Sequence, residues 1–388
     1  MPQDTTGEAE LEVVGVAHGG YGIGRVDGRV CFIPYALPGD VLRVEALRES
    51  KGVLWGAIAE RICPSPHLIE APCPCFGDCG SCTWLHFAYP AQQDWKCRIV
   101  RDCFVRIAGL EVAVDCVCDE NLCLGYRTRA EFHGDGTRLG FYALRSRRVV
   151  DVAQCPLCHV RLNAALERLR ATTREGAIEL MVNPEGTDTL AWTMRPNPKL
   201  RTAFPLANSL YGRGRRSSFL FDGTPIVNGT FTQSSLLLNR LLRQTVCQVV
   251  GTPSSLLDLY CGNGNLSLSF ADSARVLGLD HNRAAVRAAE AIGAGTYRVG
   301  DESAFRKALH TETWAVVLLD PPRTGAKGIL DALVACEAQH IVYVSCDPAT
   351  LARDAKRLAE HGWRVARLRV VDLFPNTAHI ESVCQFER

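Results

Sequence analysis

The stretch Leu257-Asp258-Leu259-Tyr260-Cys261-Gly262-Asn263-Gly264-Asn265 decides how this chain is read. A short apolar run carrying an acidic residue enters a Gly-x-Gly turn, where backbone without a β-carbon lets a ligand come close. A dinucleotide fingerprint asks for a third glycine three residues further on, but Ser267 stands there. A ligand without a pyrophosphate suits the turn better. Outward from this point, apolar runs at 255–259, 274–279, 315–319 and 341–344 alternate with helical stretches such as 283–292. That rhythm predicts an α/β domain with a mostly parallel sheet and helices on both faces.

Carboxylates recur where these strands end. Asp280 lies 22 residues after Asp258, the spacing at which an acid can hold a ribose diol. Asp301 follows the next strand and could meet an adenine amino group, and Asp320 ends the one after. Taken singly, each suits a helix cap equally well. Together the four resemble the pattern of a class I S-adenosylmethionine (SAM) methyltransferase, a Rossmann-like fold whose ligand lies across the carboxyl ends of the strands.

Two turns in this half bear on the substrate. Asp320-Pro321-Pro322-Arg323 follows a strand, and Ser345-Cys346-Asp347-Pro348 follows the next, with a helix expected over 349–360 and Pro348 in its first turn. Cys346 is therefore expected near a helix amino terminus, with its thiol pKa lowered by the helix field and Asp347 opposing. C5 of a pyrimidine is a poor nucleophile until something adds to C6, and a thiolate is suited to that addition. A base must later remove the C5 proton, and Glu381 on the last expected strand offers one. A buried strand-end cysteine and a solvated glutamate are the bland alternatives.

Gln233, 258–265, 320–323, 345–348 and Glu381 together resemble the RNA uracil-C5 methyltransferases. The resemblance implies Cys346 as nucleophile and Glu381 as base. It implies Gln233, Tyr260, Gly262, Asn265, Asp280, Asp301 and Asp320 around SAM, with Asp320 also placed to face a flipped uracil. The related cytosine enzymes use two cysteines on neighbouring strands, and no Pro-Cys companion to Cys346 is found in the strand-helix half, 255–388. Amino-group methylation, which uses Asp-Pro-Pro turns without a nucleophilic cysteine, is the competing enzyme class. A non-catalytic RNA-binding or iron-sulfur scaffold is the competing non-enzyme class.

The chain has 18 cysteines, and four of them, Cys73, Cys75, Cys79 and Cys82, fall within ten residues. Spacing alone permits either zinc or an iron-sulfur cluster. Resemblance to the iron-sulfur members of the family implies a [4Fe-4S] cluster on Cys73, Cys79, Cys82 and the remote Cys155, leaving Cys75 and Cys158 as extras. Residues 10–62 alternate in short apolar segments broken by glycines, which predicts a small β-barrel. With its Ala36-Leu37-Pro38-Gly39-Asp40 turn, this region resembles the TRAM domain, an OB-like RNA-binding module. The expected domains are thus TRAM at 8–62, an α+β iron-sulfur domain at 63–222 and the catalytic domain at 223–388.

Composition sets the outer limits. In 388 residues, 47% are hydrophobic and 22% charged, which excludes disorder and coiled coil. Lys and Arg number 43 against 42 Asp and Glu, a net charge of +1, so any RNA-binding surface must be local. Candidates are Arg25, Arg29, Arg43, Arg48 and Lys51 in the barrel, Arg145, Arg147 and Arg148, and Arg213, Arg215 and Arg216. Phe132, Phe141, Tyr142 and Phe219 could stack bases or serve as core. No run is long and apolar enough to span a bilayer, and the opening residues lack a secretory signal, so a cytoplasmic protein is expected. The expected partner is structured RNA, with 23S rRNA favoured and tRNA possible, acted on by a monomer.

Overall fold

The computed structural model describes residues 7–50 and 52–388; Lys51 and residues 1–6 lie outside the described residues. The chain divides into two compact units, one formed by 1–99, 141–150 and 374–379, the other by 100–140, 151–373 and 380–388.

In the first unit six strands pair in the order Ala9–Glu12, Val41–Ser50, Val53–Cys63, Arg29–Ile33, Gly22–Val26 and Gly15–Val16. The alternation expected from the sequence is real: Leu11, Val26, Cys31, Ile33, Leu42, Val44 and Leu54 point to one side and form a closed apolar core. Glycine at position 24 suits this packing, because a β-carbon would sit 2.5 Å from the Leu11 side chain and 3.0 Å from Glu12 O. The turn at 36–40 is held by Asp40, wholly buried, which accepts from the amides of Leu37 at 2.7 Å and Ser65 at 2.8 Å and is paired with Arg61. A buried carboxylate is tolerated only when its lone pairs are filled in this way.

The second unit contains an eight-stranded sheet. Its order is Thr296–Val299, Arg275–Asp280, Ser255–Leu259, Val316–Leu319, His340–Ser345, Glu381–Glu387, Arg364–Val371 and Asp115–Val117. The first five run parallel, and Glu381–Glu387 is antiparallel to both of its neighbours. The central strand Ser255–Leu259 is buried at every position, as expected of a strand covered on both faces. The strands and helices expected from the sequence are present with ends shifted by one or two residues: helix Arg283–Glu290 replaces 283–292, and helix Pro348–Ala359 replaces 349–360. A second sheet in this unit pairs Arg129–Asp135 with Glu175–Val182, then Thr189–Thr193 and Leu206–Ser209. Phe132 is fully buried and belongs to the core.

Candidate active site

The site grows from the carboxyl end of Ser255–Leu259. There the chain turns through three left-handed residues, Tyr260 (φ 61°), Gly262 (φ 54°) and Gly264 (φ 77°). Nothing lies within 4 Å of where a Gly262 β-carbon would be, so this stretch of backbone stands open. Asp280, buried, fixes the turn from the neighbouring strand by accepting from the amides of Gly262 at 3.0 Å and Asn282 at 2.7 Å. Asn282 then caps the next helix.

One cavity gathers Gln233, Asp258, Tyr260, Gly262, Asn265 and Asp320, joined by Phe231 and Asn263, which the sequence did not single out. Asn265 is committed to a reciprocal amide pair with Asn239, at 2.7 and 3.0 Å, so it braces the wall. Tyr260 lies edge-on to Phe305 with centroids 4.9 Å apart, and burial pushes its phenol up to about 12. Asp301 is not in the lining: one of its oxygens accepts from the amides of Ser303 and Ala304, capping helix Glu302–Thr311.

The cavity is rich in acids that resist ionisation. Asp258 is pushed up to about 8, first by burial and then by Asp320 and Asp280, with a hydrogen bond from Ser267 opposing. Its Oδ2 is buried without a partner. Asp320 rises to about 7 through burial and the charge of Asp280.

Cys346 and Glu381 are brought together by strand register. His340–Ser345 and Glu381–Glu387 pair antiparallel from His340↔Glu387 to Ser345↔Ser382. Continuing that register by one residue sets Cys346 opposite Glu381. Neighbouring strands lie about 4.8 Å apart, so the two side chains start from adjacent backbone. Glu381 is 2% exposed, its Oε1 lacks a partner, and its carboxyl is held far above the usual range by burial first and Asp320 second.

The thiol departs from expectation. Its pKa is raised to about 11, by burial, then Glu381, then Asp320, with Arg323 opposing. Cys346 precedes the cap residue Asp347, whose own carboxylate accepts from Thr350 at 2.8 Å. Burial and two facing acids outweigh the helix field that the sequence suggested.

Arg323 opposes this rise of the Cys346 pKa, through its charge and its hydrogen-bonding guanidinium. It lies in the motif quoted above, but spacing did not reveal whom it serves. Its loop is clamped from behind. Thr350 Oγ1 donates to Arg323 O at 3.1 Å, Arg353 donates to Thr324 O at 2.9 Å, and the Ala326 amide donates to Asp354 at 2.9 Å. Asp354, wholly buried, also accepts from Tyr343 Oη at 2.8 Å.

The thiol-rich loop of the first unit is a compact turn: the amide of Phe76 donates to Cys73 O at 3.1 Å and that of Cys79 to Cys75 O at 2.8 Å. Cys79 and Cys82 are buried, while Cys73 and Cys75 are half-buried. In the second unit Cys155 is buried and its pKa is lowered to about 6, chiefly by hydrogen bonding with Cys158 and further by Arg127. Among the described residues no three His, Cys, Asp or Glu side chains are gathered closely enough to hold a metal ion. No helix among them is long and apolar enough to cross a membrane.

Residues 221–295 and 306–388 match the tRNA (Uracil-5-)-methyltransferase family, and residues 7–58 match the TRAM domain. A Chromohalobacter salexigens protein named 23S rRNA (uracil(1939)-C(5))-methyltransferase RlmD is 32% identical, over 97% of this chain and 89% of that protein. The protein of the same name from Methylococcus capsulatus is also 32% identical, over 96% and 95%. Pyrococcus abyssi tRNA (uracil-54, C5)-methyltransferase, solved with S-adenosyl-L-homocysteine, shares the fold with a TM-score of 0.75 at 22% identity, covering 97% of this chain and all of that one. The chain belongs to the RNA uracil-C5 methyltransferases that carry a TRAM domain.

Proposed function

We propose that this protein converts one uridine of 23S rRNA to 5-methyluridine with SAM as methyl donor. The observation that carries the reading is the register that sets Cys346 opposite Glu381, with Asp320 and Arg323 acting on both.

The cavity suits the donor. Gly262 is open to close approach, Asp280 is fixed beside it, and Asp258 carries a buried oxygen that still lacks a partner. Gln233, Tyr260, Asn265 and Asp320 line the remainder. Asp301 lies outside the lining, with one oxygen committed to its helix cap, and belongs to the set by its place at a strand end. When bound, SAM supplies an electrophilic methyl group on a sulfonium.

Cys346 must first give up its proton to solvent water, a loss that the Arg323 guanidinium favours. Its sulfur then forms a bond to C6 of the uracil, and the C5–C6 π electrons move into the C4 carbonyl as an enolate, making C5 nucleophilic. After C5 is methylated, the ionised carboxylate of Glu381 takes the C5 proton. The electron pair reforms the C5–C6 double bond and expels the Cys346 thiolate. A carboxylate whose pKa is raised by burial is the stronger base for a carbon-bound proton. Both carbons must leave the RNA stack to reach these groups, so an unpaired or extruded uridine is the target.

Residues 8–62 serve as the OB-like RNA-binding TRAM domain, 63–222 as the central domain and 223–388 as the catalytic domain, in a cytoplasmic monomer. A [4Fe-4S] cluster on Cys73, Cys79, Cys82 and Cys155 is part of the same reading. The spacing of the thiols at 73–82 supports it, and methyl transfer requires no electron from it. Transfer RNA is the second candidate, favoured by the fold shared with the Pyrococcus abyssi enzyme.

The test is incubation with SAM and 5-fluorouridine-substituted transcripts of 23S rRNA and of tRNA. Fluorine blocks proton removal, so the protein should remain covalently bound to the ribosomal transcript through Cys346 and not through any other residue. Cys346→Ala should form no adduct. Retained methylation by Cys346→Ala would move the reaction to an amino group.

A further inference from the structure

Between Asp188 and Asp222 the chain holds no acidic residue and six cations, Arg195, Lys199, Arg201, Arg213, Arg215 and Arg216, in a protein whose net charge is only +1. The fold gathers this segment around one cavity. Strands Thr189–Thr193 and Leu206–Ser209 pair in parallel, Leu190↔Leu206 to Thr193↔Ser209, with helix Pro198–Ala203 between them in sequence. Arg201, Arg213, Arg216, Asn197, Asn208 and Ser209 are among the residues around a volume of about 460 Å3. That size accommodates a small polar ligand. None of its lining residues is shared with the cavity that holds Asp258 and Asp320.

The rim carries an unusual concentration of exposed apolar surface. Tyr211 is 70% exposed, Met194 58% and Leu210 48%. They are adjacent because the amide of Tyr211 donates to Met194 O at 3.2 Å and that of Leu210 to Thr193 O at 3.0 Å. The far wall is rigid: Asn208 Oδ1 accepts from the Ser217 amide at 2.7 Å and from Asn228 Nδ2 at 3.2 Å. Arg216 lies 4.9 Å over the Trp192 ring and donates to Gly229 O at 3.0 Å. Gly229 packs on the same ring, where a β-carbon would come within 2.5 Å. The chain then runs directly into Phe231 and Gln233 of the donor cavity.

We propose that this cavity is an accessory site for an unpaired nucleotide of the RNA substrate, distinct from the uridine that is methylated. Arg201 and Arg213 would neutralise its phosphates, Tyr211 would stack on its base, and the Asn208 and Ser209 side chains would meet polar edges. A cluster of cations with no acid in the segment to compensate suits a polyanion, and a flat exposed ring beside it suits a nucleobase. Arg216 and Gly229 would link occupancy of the site to the segment carrying Phe231 and Gln233. The inference rests on the RNA reading above.

The test uses the full chain and a 23S rRNA transcript, with affinity followed by fluorescence anisotropy across potassium chloride concentrations. Arg201→Ala with Arg213→Ala should weaken binding about tenfold and make the slope of log affinity against log salt shallower by about 1.4, at about 0.7 per single-strand phosphate. Tyr211→Ala should weaken it about fivefold with the slope unchanged. The melting midpoint should stay within about 2 °C in both cases, since these side chains are exposed. A 4-thiouridine transcript should photocrosslink to residues 202–213. Wild-type affinity and slope in both variants, or crosslinks confined to other segments, would overturn the proposal. A normal Cys346 adduct alongside those results would sink the accessory site alone. The expected losses of RNA binding with no adduct in wild type would sink the uracil-C5 chemistry alone.

Discussion

The state of the Cys346 thiol can be read chemically without any RNA. Burial, Glu381 and Asp320 raise it from an ordinary 9.0 to about 11. Only the thiolate reacts with iodoacetamide. At pH 8 a thiol of ordinary acidity is about one-tenth ionised and one at 11 about one-thousandth, so alkylation of Cys346 should be about a hundredfold slower than of a free peptide cysteine. The rate should climb about tenfold per pH unit from 7 to 10 without levelling. Glu381→Gln removes the stronger of the two acidic influences and should speed alkylation at the pH values where Glu381 is ionised. Arg323→Ala removes the opposing cation and should slow it further. The assay is time-resolved alkylation from pH 6 to 11, quantified on the peptide containing Cys346. A rate that levels off below pH 9 would show that the helix end governs this sulfur after all.

Other expectations follow from particular contacts. Asp354→Ala strands the Tyr343 hydroxyl, the Ala326 amide and the Arg353 charge, and urea unfolding should show a loss of about 3–5 kcal/mol. Asp258 is raised from 3.8 to about 8, so it favours the fold while protonated, and that contribution fades as pH rises between those values. Asp258→Asn should therefore lift the melting midpoint relative to wild type at pH 8 and leave it nearly unchanged at pH 4, as calorimetric scans can check. Asp280→Ala removes the acceptor for Gly262, and titration calorimetry should find SAM bound about 10–100-fold more weakly. Anaerobically purified protein should contain four iron and four sulfide per chain, and a single zinc with no iron would refute the cluster assignment.

The catalytic half was legible because its strands are short apolar runs with helices between them, and each acid that ends a strand is visible in the sequence. The middle was not, since its sheet joins segments far apart. Arg129–Asp135 pairs with Glu175–Val182, and Asp115–Val117 lies along Arg364–Val371, some 250 residues later in the chain. Such pairings leave no periodic trace. At the site, spacing located Cys346 near a helix but could not weigh that field against Glu381, which arrives from across the ladder. Asp301 illustrates the reverse, a strand-end acid whose oxygen goes to a cap. Tyr343 and Asp354 gave no signal, because a phenol in a strand and an acid in a helix become meaningful only when both reach Ala326.

The antiparallel ladder between His340–Ser345 and Glu381–Glu387 has a consequence for how this enzyme can vary. On the chemistry proposed above, the backbone positions of Cys346 and Glu381 are set by this ladder, whose last pair, Ser345↔Ser382, adjoins both residues. Deleting one residue within either strand would turn one of the two groups to the opposite side of the sheet and abolish the pair at a stroke. On that proposed chemistry, the parts that deliver the nucleic acid and the methyl source can be reshaped while Cys346 and Glu381 are kept as a single unit.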